Sequence, residues 1–172
     1  MIKIHDCIQG DEIWHDLHDN LWTGSVAIKL LQGKPLPKWD QWGGNKYTKR
    51  GQILENIAIG EYQREVKHKI QRPGSVTNSL YPNAGYSPDG IYGKTLLEVK
   101  CLNNERHQKL IEGDIPLEYV AQIQFGMIIL NLKKAKLLAY NPESEKQLTV
   151  INIPYDKDIG ANIRRKLRAS VL

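Results

Sequence analysis

The spacing of apolar positions along the chain changes several times, and each change marks an element. Glu12 to His18 has helical spacing, and Thr23 or Ser25 stands where a second short helix reaching about Gln32 would need a cap. A loop follows. From Thr48 onward, Ile53, Ile57, Tyr62, Val66 and Ile70 recur near 3.6 residues per turn, predicting a long helix closed by Pro73-Gly74, with Gly60 a point at which it bends or breaks.

Between Ser75 and Cys101 the pattern becomes that of strands, with Val76, Leu80, Tyr86, Ile91 and Leu96 to Val99 separated by Asn, Pro and Gly turn signals. Asn103 or Asn104 caps a short helix from Arg106 to Glu112, and Pro116 suits the first turn of a helix running to about Asn131. The turn cluster Asn141 to Ser144 then divides Ala135–Tyr140 from Gln147–Ile153, which reads as a hairpin. A basic helix from about Asp156 to Ala169 closes the pattern. The expectation is one α/β domain over residues 1–172, with a central mixed β-sheet flanked by α-helices.

Composition narrows the function classes. The longest apolar run, Phe125 to Leu130, is too short for a membrane span, and no targeting signal is expected, so the sequence reads as a cytoplasmic protein with no membrane partner. Cys7 and Cys101 are far apart with no zinc-spaced partners, and the five histidines show no paired ligand spacing. A formal net charge of +5 permits a polyanionic partner without requiring one. Its distribution says more: Lys34, Lys38, Lys46, Lys49 and Arg50 flank Trp39, Trp42 and Tyr47, a loop able to hold phosphates and stack on bases, or else a solvated loop whose tryptophans cap the core. The cluster from Arg164 to Arg168 either solubilises the last helix or adds a second basic surface.

One constellation carries chemistry. Asp89, in Ser87-Pro88-Asp89-Gly90, lies a hairpin's length before Glu98-Val99-Lys100 on a short apolar strand. Alternation puts Glu98 and Lys100 on one face, and Gly90 and Gly93 supply the turn that folds Asp89 back beside them. Two carboxylates and an ammonium so placed suit Mg²⁺-dependent phosphodiester hydrolysis. Taken separately, the same residues also read as a turn aspartate and an exposed ion pair.

The order and joint spacing of these motifs resemble the PD-(D/E)XK nuclease superfamily, and within it the phage lambda exonuclease or YqaJ-like viral recombinase family. Ser87 to Gly90 and Leu97 to Cys101 match its central elements. Gln9-Gly10-Asp11-Glu12-x-Trp14-His15 with Thr23-x-Ser25, Gly51-x-x-x-Glu55-x-x-Ala58 and Tyr119-x-x-Gln122-Ile123-Gln124 are similar to three further family segments, in the expected order. The resemblance implies a restriction-endonuclease-like core. It makes Asp89, Glu98 and the Val99 carbonyl the metal ligands, Glu55 the support of a second ion or of bound waters, and Lys100 and Gln122 the residues acting on the scissile phosphate. It also assigns Ser25, Ser87 and Arg106 to a terminal 5′-phosphate, with His18 where the family often has arginine.

By resemblance, then, the expected function is Mg²⁺-dependent exonuclease activity, with Mn²⁺ as substitute, resecting double-stranded DNA ends 5′ to 3′ for phage-type recombination. A single-strand annealing protein and a trimeric assembly are implied in the same way. Two alternatives stay open at this point: an endonuclease or structure-specific nuclease of the same superfamily, and a noncatalytic DNA-binding recombination adaptor.

Overall fold

The computed structural model describes residues 1–37 and 47–170, the side chains of 47 and 48 excepted, so Trp39, Trp42 and Lys46 lie outside the described residues. Among the described residues, seven strands form two sheets. The first is antiparallel, in the order β1 (Ile2–His5), β2 (Ser75–Asn78), β3 (Tyr81–Tyr86). The second is mixed, in the order β4 (Gly90–Tyr92), β5 (Thr95–Cys101), β6 (Lys134–Tyr140), β7 (Leu148–Pro154), with β5 and β6 parallel along their full length. Parallel neighbours need a crossover connection, here made by α4 (Asn104–Ile111) and α5 (Leu117–Ile129).

Local chemistry accounts for most element ends. Asp11 caps α1 (Glu12–His18) by accepting the Trp14 N–H at 2.7 Å, and Asn103 caps α4 through Arg106 N–H at 3.0 Å. Thr23 makes no cap; its hydroxyl pairs with Ser25 at 3.0 Å ahead of a 3-10 turn, Gly24–Val26, that leads into α2 (Ala27–Leu31). The helix α3 (Tyr47–Val66) runs unbroken through Gly60 and ends where Lys67 turns left-handed, at φ +51°, earlier than the apolar spacing predicts. Ile70 still packs in the core beyond the helix end.

The mixed sheet is covered on both faces. Leu96 of β5 and Ala135, Leu137 and Ala139 of β6 point into the larger core beneath α5, while Leu97, Val99, Leu138 and Tyr140 join Ala58, Ile59 and Tyr62 of α3 on the other side. Helix α5 is apolar nearly all round because it contacts β2, β3, β5 and β6 as well as α2 and α6 (Lys157–Ala169). Burying each large aliphatic side chain there contributes about 1.5–3 kcal/mol. Glu98 and Lys100 share the α5 face of β5 with Leu96, so their polar ends project toward α5 at the rim of this core.

The strand stretch from Ser75 to Cys101 is divided between two sheets at Ser87–Asp89, since β3 belongs to the antiparallel sheet and β4 to the mixed one. The site therefore lies at the junction.

Candidate active site

Backbone geometry brings the two acids together. Strand β4 pairs with β5 only from Thr95 to Leu97, so the β4 edge of β5 is unpaired by strand from Glu98 onward. Asp89, the residue before β4, fills that gap: its Oδ2 accepts the Val99 N–H at 2.7 Å. In an extended strand the N–H and C=O of one residue share an edge, so the Val99 carbonyl is on the Asp89 side as well. Gly93, at φ +57°, makes the tight β4–β5 turn, and a Cβ at Gly90 would stand 2.7 Å from Ile70 Cγ2.

Side chains then close a web around Glu98, which is only 2% exposed. Its Oε1 accepts from Lys100 Nζ at 2.9 Å and from Gln122 Nε2 at 2.6 Å, and its Oε2 accepts from the Tyr86 hydroxyl at 2.7 Å. Gln122 Oε1 in turn accepts from Lys100 Nζ at 2.9 Å, and the same ammonium lies 4.8 Å from the centroid of the Tyr119 ring. Of the pair read from sequence as either catalytic or exposed, Glu98 is thus buried with both oxygens partnered, and Lys100 is half-buried and held by Glu98 and Gln122.

Electrostatics follow from burial and crowding. Burial pushes the Asp89 carboxyl well above its usual range, and the Glu98 and Glu55 charges push it further. For Lys100, burial works downward, but the Glu98 and Asp89 charges outweigh it and hold the ammonium above its ordinary value. Glu55 is raised, first by burial and then by Glu98, with Arg72 opposing. The Cys101 thiol is pushed up to about 11, chiefly by burial, and Cys7 is raised by the same cause, so neither is poised as a thiolate nucleophile.

Glu55 enters from α3 by a different route. Its Oε1 pairs with Arg72, whose guanidinium also donates to Asn56 Oδ1 at 2.5 Å and to the Asp89 main-chain oxygen at 2.9 Å. Beside this clamp opens a cavity of about 350 Å³ lined in part by Gln52, Glu55, Asn56, Arg72 and Pro88.

The residues assigned to a phosphate are dispersed in their surroundings. Ser87 accepts from Trp14 Nε1 at 2.6 Å and lies 3.4 Å from His18 Nε2, while His18 Nδ1 donates to the Trp14 carbonyl at 2.6 Å. His18 is 3% exposed and stacks on Trp14 with centroids 4.2 Å apart. Burial lowers its pKa first of all, with His15 and His5 adding to the effect, so it is a neutral imidazole under Ser87 rather than a surface cation. Ser25 is exposed. Arg106 lines a cavity of about 300 Å³ with Tyr119 and Lys109. Lys49 and Arg50 are exposed in the first turns of α3, and Arg50 is near enough to Cys101 to favour its thiolate.

The donor set of Asp89, Glu98 and the Val99 carbonyl is hard oxygen throughout, and two crowded carboxylates with one strongly raised are relieved by a divalent cation. These residues fit Mg²⁺. Among the described residues, no three His, Cys, Asp or Glu side chains gather as a metal-binding group.

Sequence reading missed two residues. Tyr86, just before Ser-Pro-Asp, reads as an ordinary strand aromatic, and only Gly24 and Gly126, both of which its ring abuts, hint at its depth. Arg72 lies in a polar segment with no periodic signal.

Comparison with known proteins supplies the context. A family model for the YqaJ-like viral recombinase domain matches residues 14–133. No curated protein sequence matches the chain. Among solved structures, the chain is similar to an alkaline exonuclease, LHK-Exo, from Laribacter hongkongensis, with 22% identity over 94% of this chain and 91% of that one and a TM-score of 0.78. The same protein in complex with dAMP gives a TM-score of 0.80 at equal identity and coverage. A phage related exonuclease from Haemophilus somnus 129PT is 15% identical over 91% of this chain and 94% of that one, with a TM-score of 0.64. At these identities the likeness is one of fold, a restriction-endonuclease-like core.

Proposed function

Because the chain belongs to the YqaJ-like viral recombinase domain family, we propose that it is a Mg²⁺-dependent deoxyribonuclease, a single domain over residues 1–172 that resects double-stranded DNA ends 5′ to 3′ in the cytoplasm. The observation that carries this reading is the buried web in which Lys100 and Gln122 share Glu98 Oε1, one residue along β5 from the N–H that Asp89 accepts. A structural ion pair has no need of that desolvation, which costs several kcal/mol per ion.

Asp89, Glu98 and the Val99 carbonyl would hold Mg²⁺, with Mn²⁺ as a substitute, and Glu55 would serve a second ion or waters of the first. When bound, the ion supplies Lewis acidity to the phosphate and lowers the pKa of a water. Lys100 Nζ, anchored by Glu98 and Gln122, orients the attacking water and meets the charge developing on the phosphoryl oxygens. Gln122 fixes the direction of that ammonium. Ser25, Ser87 and Arg106 receive the terminal 5′-phosphate, His18 acting through Ser87, while Lys49 and Arg50, together with Lys46, Trp39 and Trp42, follow the duplex. A trimeric assembly and an annealing protein that takes up the exposed strand belong to the same reading.

A second reading, endonuclease action within the same superfamily, is favoured by the buried, neutral His18, which leaves the end-phosphate site one cation poorer. End-labelled linear duplexes, with and without a 5′-phosphate, separate the two when run beside closed circles. Mg²⁺-dependent shortening from the 5′ end supports exonuclease action, and nicking of circles at the same rate rejects it. Asp89→Asn, Glu98→Gln and Lys100→Ala should each abolish cleavage with the fold retained. Full activity in all three rejects the site.

A further inference from the structure

We propose that Arg72 is a positioning residue that keeps Glu55 out of the inner coordination sphere, so that the centre takes one divalent ion at Asp89 and Glu98 and reaches Glu55 only through water. This rests on the metal-centre reading above and decides between the two roles open to Glu55.

Two observations converge on Arg72. Its backbone is fixed beside the site, because Gln71 and Ile91 exchange hydrogen bonds of 3.0 and 2.8 Å that lock the segment after α3 onto β4. Its guanidinium spends all three nitrogens on separate acceptors: Nε on the Asp89 main-chain oxygen, one terminal nitrogen on Asn56 Oδ1 and the other on Glu55 Oε1. Only a planar fork of several N–H donors spans three such acceptors; an ammonium acts as a point charge. The clamp therefore ties the α3 acid to the turn that aims Asp89.

Charge and geometry agree with that division. Counted with every group ionised, Arg72 and Lys100 stand against Asp89, Glu98 and Glu55, leaving one negative charge unmatched. A single divalent ion suffices to overcome it, and a second would be repelled while both cations stay. Among the described residues, the acids do not gather as a set of three. The adjoining cavity of about 350 Å³ leaves room for water if the arginine side chain is shortened, so its removal opens space next to Glu55 and does not demand repacking of the core.

Mn²⁺ titration of DNA-free protein, by calorimetry and by electron paramagnetic resonance of free and bound ion, reads the stoichiometry directly. The wild type should bind one ion per chain and Arg72→Met two, the second disappearing when Glu55→Gln is added. Glu55→Gln alone should also bind one, and because it leaves Arg72 in place it tests the proposal even if Arg72→Met does not fold. Two ions on the wild type, a fall from two to one in Glu55→Gln, or one ion on folded Arg72→Met would overturn the role assigned to Arg72. No ion on any variant or the wild type would remove the metal centre itself, a failure distinct from the others.

Discussion

The Tyr86 hydroxyl donates to Glu98 Oε2 at 2.7 Å inside the core, so a tyrosine with no chemistry of its own sets the orientation of a buried carboxylate. The bond leaves Oε1 for Lys100 and Gln122. Tyr86→Phe keeps the ring and removes only this donor from an acid that is 2% exposed, which costs about 1.5–3 kcal/mol for a hydrogen bond to a charged group. The expected result is a stability loss of that order in urea with an unchanged m-value. Mn²⁺ affinity should fall about tenfold or more, as for other residues that orient metal ligands. Equal stability and affinity in the two proteins would show that Glu98 is held without Tyr86.

The same ring makes Gly126 respond to alanine in the opposite way to Gly60, which it does not touch. At Gly126 a Cβ would stand 2.5 Å from the Tyr86 ζ carbon and 2.8 Å from Leu96 Cδ2, both in the packed core, whereas at Gly60 the nearest atom is the mobile end of Arg64 at 3.8 Å. Overpacking costs about 1–3 kcal/mol, while helix propensity returns up to about 1 kcal/mol. Gly126→Ala should therefore lower the melting temperature and Gly60→Ala should raise it. Thermal melts of the two variants check the contrast.

Helix and strand periodicity carried most of the architecture, because α1, α3, α4, α5 and α6 each have a cap, a breaker or a strong apolar spacing. The edge strand β1 was not read, although Ile2-Lys3-Ile4-His5 alternates, since four residues at a chain end give too short a window and its partner β2 lies more than 70 residues away. Long-range pairing also explains the division at Ser87–Asp89, which local turn signals cannot distinguish from an ordinary hairpin bend. Within the web around Glu98, the nearness of Asp89, Glu98 and Lys100 was legible because strand alternation and hairpin length are local, whereas Gln122 was reached only through the resemblance of its helix to the family's. Arg72 and Tyr86 were not legible, since each acts on a carboxylate 17 or 12 positions away through tertiary contact alone.

The buried imidazole of His18 gives the fold an acid-sensitive point away from the carboxylates. Its Nδ1–H is committed to the Trp14 carbonyl, and burial holds its pKa below 6.5. In unfolded chains the group protonates near its ordinary value, so between that value and the lower native one the unfolded state binds more protons. Stability must then fall as pH drops below 6.5 and be fully restored above it. A plot of melting temperature against pH should show this decline in the wild type and a flatter one in His18→Gln. Parallel slopes would mean that the imidazole charges without cost.

Asp89 has the opposite sign. Burial, with Glu98 and Glu55 beside it, holds its native pKa well above 3.8, so across the interval above 3.8 the native state binds more protons than the unfolded one. Stability in chelator should therefore decline as pH rises through that interval, leaving the penalty in full force once Asp89 is ionised in both states. Asp89→Asn removes the charge yet keeps an oxygen for the Val99 N–H, and should melt higher than the wild type at neutral pH without metal, the difference closing below pH 3.8. Saturating Mg²⁺ should reverse the order, because an ion that binds only the folded wild type adds about 2.7 kcal/mol at one hundred times its Kd. A variant that melts below the wild type in chelator at neutral pH would show that Asp89 is stabilised in its charged form by the protein alone. The crossing of the two curves on adding Mg²⁺ is therefore the sign that the carboxylate is kept, at a cost to the fold, for a cation.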